Sequence, residues 1–129
     1  MIKVCAAVIN INNNYLISTR QPGSHLEGLW EFPGGKINNG ESEYECLIRE
    51  LKEELDVDII PLDLIQDICF KYPEKHVNLK FYRAAPLDIK NFQPKPCDNQ
   101  NIAWCNASNY ARYKFVEADA PLISFLFAN

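Results

Sequence analysis

Residues 33–57 read PGGKINNGESEYECLIRELKEELDV, a glycine-rich segment followed by a run with helical periodicity. Ser42 and Glu45 fit a capping box, in which the Ser hydroxyl accepts a hydrogen bond from a free amide and the Glu reaches back to the cap. The apolar side chains that follow lie at helical spacing and form one stripe: Leu47, Ile48, Leu51 and Leu55. The pattern predicts an amphipathic helix that begins after Ser42, ends near Leu55 and packs on a core.

The same helix carries a run of acidic residues. On a wheel with about 100° per residue, Glu50, Glu53 and Glu54 fall close together and opposite the apolar stripe. Carboxylates at this spacing repel each other, and a divalent cation such as Mg²⁺ or Mn²⁺, which prefers carboxylate oxygen, would turn the repulsion into coordination. Arg49 is four residues from both Glu45 and Glu53 and is placed to orient carboxylates. Taken alone, the run fits equally well a solvated acidic helix face.

The segment ahead of the helix is suited to a ligand. Gly34 and Gly35 allow backbone groups to approach a bound molecule closely, and Lys36 beside exposed amides suits a phosphate. Seven Pro and Gly residues between Gln21 and Gly40 exclude a long helix there and indicate a shaped loop.

The remaining chain supplies strands and one more helix. The extended segments are Ile2–Val8, Tyr15–Arg20, Val57–Ile60, Leu62–Lys71, His76–Arg83 and Ile102–Cys105, with a helix at Pro121–Phe127 and a long loop at Asp88–Asn101. Strands on both sides of a central helix predict an α+β layered domain.

Length and composition exclude several classes of protein. A chain of 129 residues with 47% hydrophobic residues fits one compact domain, residues 1–129. A net charge of −4 argues against a nucleic-acid polymer or an anionic membrane as partner, and no apolar run nears the roughly 20 residues of a membrane helix. The five cysteines contain no C-x-x-C pair, so neither a disulfide framework nor a zinc ribbon is indicated. Without the features of a signal peptide, cytoplasmic residence is expected.

The spacing of the acidic run resembles a known family motif. Gly35, five residues, Glu41, seven residues, then Arg49–Glu54 and Val57 resemble the Nudix box in every specified position but one. The departure is Asp56, which stands where the family has glycine just past the helix, so we expect a small cost in stability. Residues 28–36 and 72–76 resemble the MutT branch of this family.

The resemblance implies a fold, a reaction and a set of site residues. The fold would be the Nudix fold, an α/β/α sandwich around a mixed sheet. The reaction would be Mg²⁺-dependent hydrolysis of a nucleoside diphosphate linked to another moiety, with Mn²⁺ as a substitute. Glu41 would support the start of the helix. The residues implied in metal binding are Gly34 through its carbonyl, Glu50, Glu53, Glu54 and Asp98; those implied in catalysis are Arg49, Glu50, Glu53 and Asp98.

The resemblance also marks residues for the nucleotide: Arg20, His25, Phe32, Lys36 and Asp119. Phe32 would stack on the base or else belong to the core, and His25 would contact the nucleotide or else lie in solvent. An ionised Asp119 only accepts hydrogen bonds and would suit the N1–H and N2–H₂ donors of guanine or 8-oxoguanine, whereas a protonated Asp119 would match cytosine. Asp119 would otherwise cap the last helix.

The function implied is that of a MutT-type pyrophosphohydrolase that converts 8-oxo-dGTP to the monophosphate and pyrophosphate and so cleans the nucleotide pool. The alternatives are a CTP or modified-dCTP pyrophosphohydrolase and a catalytically silent nucleotide-binding module. In each case the partner is a small nucleoside triphosphate, and the protein would be a monomer or a homodimer.

Overall fold

The fold is a mixed β-sheet with two helices, seen in a computed structural model that describes residues 1–128. In this part of the chain the strands are β1 (Ile2–Ile11), β2 (Asn14–Thr19), β3 (Trp30–Glu31), β4 (Gly34–Lys36), β5 (Ile59–Lys71), β6 (His76–Pro86) and β7 (Ile102–Cys105). The helices are α1 (Glu43–Leu55) and α2 (Ala120–Phe127), and three short 3₁₀ turns complete the set. The predicted α+β class is confirmed.

Strand β1 lies at the centre of the sheet. The strand order is β3-β2-β1-β6-β5, while β4 pairs with β1 and β7 pairs with β2. The pairing of β1 with β6 is parallel and the other pairings of the sheet are antiparallel, which makes the sheet mixed, as predicted. The two extended segments expected between residues 57 and 71 form the single strand β5, whose register shifts on either side of Leu64.

The sheet carries a hydrophobic core on each face. Residues 5–9 of β1 are all buried, and successive side chains point to opposite faces. Cys5, Ala7 and Ile9 belong to the core that includes the buried residues of α1. Ala6 and Val8 belong to the second core, which includes Leu122 of α2. The two cores explain why residues 4–9 of this strand are all apolar rather than alternating with polar residues.

Helix α1 begins as predicted, with both hydrogen bonds of the capping box present. The Glu45 amide donates to Ser42 Oγ at 3.1 Å, and the Ser42 amide donates to Glu45 Oε1 at 2.9 Å. The buried residues of the helix are Cys46, Leu47, Leu51 and Leu55. The prediction that Ile48 belongs to the stripe packed on the core is wrong, since this residue is 44% exposed.

The error at Ile48 reflects how the helix is rotated against the sheet. Because Cys46 is fully buried, the buried face of α1 extends toward Cys46 and leaves Ile48 at its outer margin. On the wheel, Glu50 and Glu54 then fall between Cys46 and Leu47, on the side of the helix that carries the buried residues and not opposite it. Glu53 alone of the three acidic residues is exposed.

Helix α1 ends at a left-handed residue, and the long loop predicted after residue 88 covers its end. Asp56 has φ 54° and ψ 42°, and its amide donates to the carbonyls of Leu51 and Lys52. The Leu55 carbonyl accepts from the Lys95 amide at 2.8 Å, and the Glu54 carbonyl accepts from the Cys97 amide at 2.9 Å. The carbonyls that a helix end leaves free are therefore satisfied by this loop.

None of the helices in residues 1–128 is long and apolar enough to cross a membrane.

The left-handed Asp56 gives a stability prediction. Glycine adopts this conformation without the clash that a Cβ causes, so we expect Asp56→Gly to raise the free energy of unfolding by about 0.5 kcal/mol. The exposed Lys52–Asp56 ion pair that is lost contributes little. Asp56→Ala should lower stability, because alanine keeps the clash. Urea unfolding of the three proteins measures the order Gly above Asp above Ala; any other order contradicts the account.

Candidate active site

The site begins where β4 lies between β1 and α1. A Cβ added to Gly34 would overlap the carbonyl of Cys5 and the Cα of Ala6. A Cβ added to Gly35 would overlap the carboxyl group of Glu50. The two glycines are required because they place the backbone of β4 directly against β1 on one side and against an acidic side chain of α1 on the other.

Arg49 holds three carboxyl groups around this strand. Its Nε and Nη2 atoms donate to the two oxygens of Glu41 at 2.6 and 2.9 Å. Its Nη1 atom donates to Glu50 at 2.8 Å and to Glu53 at 3.1 Å, and Nη2 also donates to the carbonyl of Lys36 at 2.9 Å. One guanidinium group therefore ties the start of α1, its acidic face and β4 together.

The expected pairing of Arg49 with Glu45 is wrong. Glu45 is engaged in the capping box, and Glu41 takes its place as the partner of Arg49. Hydrogen bonds from Arg49 lower the pKa of Glu41 to about 2, so Glu41 is ionised at every pH near neutrality. Through its contacts with Arg49, Glu41 supports the start of α1.

Glu50 and Glu54, four residues apart on α1, lie close together and half-buried. Burial, followed by a hydrogen bond and charge repulsion from Glu50, raises the pKa of Glu54 to about 9. Two carboxyl groups that share a proton in this way form an oxygen-rich pair on which a hard divalent cation would replace the proton. Within residues 1–128, no three side chains of the His, Cys, Asp and Glu types converge on a single metal position.

Asp98 lies on the loop that covers the end of α1. Its carboxylate is exposed and accepts a hydrogen bond from Gln21 Nε2 at 3.2 Å. The amide of the preceding residue, Cys97, donates to the Glu54 carbonyl at 2.9 Å, and the negative charge of Asp98 is among the causes that raise the pKa of Glu54. The structure thus brings the predicted Asp98 toward the acidic face of α1 from a separate segment.

The five residues predicted to contact a nucleotide line a single cavity: Arg20, His25, Phe32, Lys36 and Asp119. Gly34 and Gly35 line the same cavity, so it meets the acidic face of α1 across β4. Arg20 and His25 lie in the loop between β2 and β3, Phe32 directly follows β3 and Lys36 ends β4, whereas Asp119 comes from the distant segment before α2. Their convergence is a property of the fold that spacing alone does not dictate.

Phe32 and Asp119 are joined at the floor of the cavity. The Phe32 amide donates to Asp119 Oδ2 at 3.1 Å, and both residues are 2% exposed. The Phe32 ring packs on Phe81 and Phe115, so it belongs to the core as well as to the cavity wall. Asp119 makes no capping hydrogen bond to α2, which excludes the capping alternative. Burial raises the pKa of Asp119 well above its ordinary value.

Three polar residues that line the cavity were not predicted from the sequence: Glu31, Tyr72 and Lys75. Glu31 accepts from Arg20 Nη1 at 3.4 Å, and burial raises its pKa to about 7 despite that partner. Tyr72 packs edge-on against the imidazole of His25, whose Nε2 atom is buried without a hydrogen-bond partner. The segments that contain Glu31, Tyr72 and Lys75 carried a signal in their resemblance to the MutT branch, but the sequence assigned no role to these three residues.

The comparisons with known proteins identify the family. Residues 4–125 match the model of the NUDIX domain, which covers nearly the whole chain. The chain therefore belongs to the NUDIX domain family, and it is a hydrolase that acts on pyrophosphate bonds.

Two curated relatives differ in the activity that their names state. The CTP pyrophosphohydrolase of Escherichia coli is 28% identical over 130 residues, which span 99% of this chain and 93% of that protein. The 8-oxo-dGTP diphosphatase of Proteus vulgaris is 38% identical over 80 residues, which span 61% of this chain and 71% of that protein. The match to the CTP pyrophosphohydrolase covers more of this chain, whereas the match to the 8-oxo-dGTP diphosphatase has the higher sequence identity. Coverage and identity therefore favour different relatives.

Solved structures confirm the predicted Nudix fold. A MutT structure from a study of the Aliivibrio salmonicida and Vibrio cholerae proteins superposes with a TM-score of 0.80 at 27% identity, and the match covers 99% of this chain and 97% of that one. The ORF135 protein of Escherichia coli superposes with a TM-score of 0.79 at 29% identity and covers 96% of this chain and 86% of that one.

The raised pKa of Glu31 predicts a pH dependence of stability. A carboxyl group whose pKa is higher in the folded state stabilises the fold below its unfolded pKa, and this contribution is lost as the pH rises through the folded value. Relative to Glu31→Gln, which does not titrate, the parent protein should lose about 3 kcal/mol of unfolding free energy between about pH 4.5 and pH 8. Urea unfolding in metal-free buffer measures the difference. A difference that stays constant with pH would show that Glu31 titrates normally.

Proposed function

We propose that this protein is a Mg²⁺-dependent nucleoside triphosphate pyrophosphohydrolase that acts on 8-oxo-dGTP and releases the monophosphate and pyrophosphate. One observation carries the proposal: the cavity that holds all five predicted nucleotide contacts adjoins the acidic face of α1 across β4. A base in the cavity would direct its phosphates along Lys36 toward Glu50. The cellular role that follows is removal of oxidised purine nucleotides in the cytoplasm.

The donor set of the acidic face suits Mg²⁺. Glu50 and Glu54 would hold the ion, with Glu53, Asp98 and the Gly34 carbonyl as further oxygen ligands, and Mn²⁺ as a substitute. A bound divalent ion lowers the pKa of a water molecule and offsets charge on the phosphates.

The chain's own residues have the remaining tasks. Arg49 keeps the carboxylates of Glu50 and Glu53 oriented, because its guanidinium group already contacts both. Asp98 or one of the α1 carboxylates takes the proton of the attacking water. Lys36, at the rim of the cavity, neutralises a phosphate oxygen.

The second candidate function is that of a CTP or modified-dCTP pyrophosphohydrolase. The observation that favours it is the burial of Asp119. The raised pKa of Asp119 favours its protonated form, which presents a donor and an acceptor and so matches N3 and N4–H₂ of cytosine. The ionised form would instead accept from N1–H and N2–H₂ of an oxidised guanine. The relative that spans 99% of the chain is named a CTP pyrophosphohydrolase. A silent nucleotide-binding module is disfavoured, because binding alone gives no reason for the full acidic set.

The test is the turnover of a nucleotide panel with Mg²⁺ and with EDTA. We expect pyrophosphate release with Mg²⁺, no release with EDTA, and the highest kcat/KM for 8-oxo-dGTP among 8-oxo-dGTP, dGTP, dCTP, 5-methyl-dCTP, CTP and ADP-ribose. A higher kcat/KM for the cytosine nucleotides would contradict this proposal and support the second candidate function. Binding without any turnover would show a silent module.

The same panel on Asp119→Ala tests the role of Asp119 in base selection. We expect the order of kcat/KM among the bases to change more than the highest kcat, because the residue contacts the base and not the phosphates. Leu122→Ala, a core change in α2 near Asp119, serves as a control for loss of packing. An unchanged order of bases in Asp119→Ala would remove Asp119 from the recognition site.

A further inference from the structure

Gln100 bridges two backbone segments that belong to the proposed site. Its side chain is almost completely buried, with 5% exposure. Its Nε2 atom donates to the carbonyl of Glu54 at 3.1 Å, and its Oε1 atom accepts from the amide of Asp98 at 2.8 Å. Both ends of one buried amide group are therefore used to connect the acidic helix with the loop that carries Asp98.

The arch formed by Asp98 and Asn99 is anchored on both sides. On one side, the Cys97 amide donates to the same Glu54 carbonyl at 2.9 Å. On the other side, the Thr19 amide of β2 donates to the Asn101 carbonyl, and the Asn101 amide donates to Thr19 Oγ1, both at 2.9 Å. Asn99 lies in the left-handed region with φ 60°, which turns the chain sharply between these anchors.

The position of Asp98 depends on these anchors, because the contacts of its own side chain are weak. Its carboxylate is exposed and accepts a single hydrogen bond of 3.2 Å from Gln21, which is itself only partly buried. Nothing in that contact fixes the carboxylate relative to Glu54. The Gln100 amide does so through the backbone, since it sets the distance between the Glu54 carbonyl and the Asp98 amide.

We infer that Gln100 is a positioning residue, which holds the carboxylate of Asp98 at the acidic face of α1. The inference rests on the proposed function, because it presumes that Asp98 acts at the site. A buried amide with both groups bonded is costly to replace, and residues that orient metal-binding groups typically affect metal affinity or activity by about 10–100-fold.

A double-mutant cycle with Asp98 tests the inference. Gln100→Met keeps the volume and removes both hydrogen bonds; we expect it to lower kcat about tenfold with little change in KM, and to weaken Mn²⁺ binding about tenfold by electron paramagnetic resonance. In the Asp98→Ala background the same change should alter kcat and Mn²⁺ binding less than about twofold, because the group it positions is gone. If Gln100→Met does not fold, Gln100→Asn, which is too short to span both partners, replaces it.

The control is Gln66→Met, which removes a side-chain hydrogen bond to the carbonyl of Pro121 outside the site. It should leave kcat and Mn²⁺ binding unchanged. Equal effects of Gln100→Met in both backgrounds, with Asp98 itself required, would overturn the positioning role and leave the proposed function intact. If Asp98→Ala had no effect on kcat or on Mn²⁺ binding, the role proposed for Asp98 would fail, and the positioning role with it. If the parent protein turned over no nucleotide, the proposed function would fail, while the Mn²⁺ cycle would still decide whether Gln100 acts through Asp98.

Discussion

The close approach of β4 to its two neighbours is the constraint on which the site depends. The backbone of Gly34 lies against the backbone of β1, which leaves no room for a side chain, and that of Gly35 lies against the Glu50 carboxyl group, which a side chain would displace. This contact joins two different surfaces, the acidic face of α1 and the cavity lined by the nucleotide residues. A bulkier strand would hold them apart, and a substrate could not reach both.

The carboxyl groups on the acidic face of α1 differ in how their charges are compensated. Arg49 offsets the charge of Glu41, Glu50 and Glu53, but it does not contact Glu54. Glu54 is left beside Glu50 in a half-buried position, where burial and the neighbouring carboxyl group raise its pKa to about 9. A helix that served only the fold would avoid such a pair, because like charges four residues apart destabilise it. The proposed metal site would relieve this repulsion.

The parts of the fold that depend on local chemistry could be predicted from the sequence. Ser42 and Glu45 form the expected cap, Asp56 ends the helix in the left-handed conformation, and the box spacing indicates the family. Ile48 was misjudged because the rotation of α1 depends on how deeply Cys46 is buried, which is decided by the sheet. Glu31 and Gln100 escaped prediction because their partners, Arg20 and the Glu54 backbone, are set by tertiary structure.

A matched pair of glycine substitutions tests the central claim that Glu50 must lie against β4 for the protein to act as a pyrophosphohydrolase. In Gly35→Ala the atoms nearest to the new methyl group belong to the end of the Glu50 side chain, which can move, whereas in Gly34→Ala they belong to the backbone of β1. We expect Gly35→Ala to fold with a melting temperature near that of the parent and to lose nearly all pyrophosphate release. Gly34→Ala should be strongly destabilised. Pyrophosphate release by Gly35→Ala at the parent's rate would contradict the account.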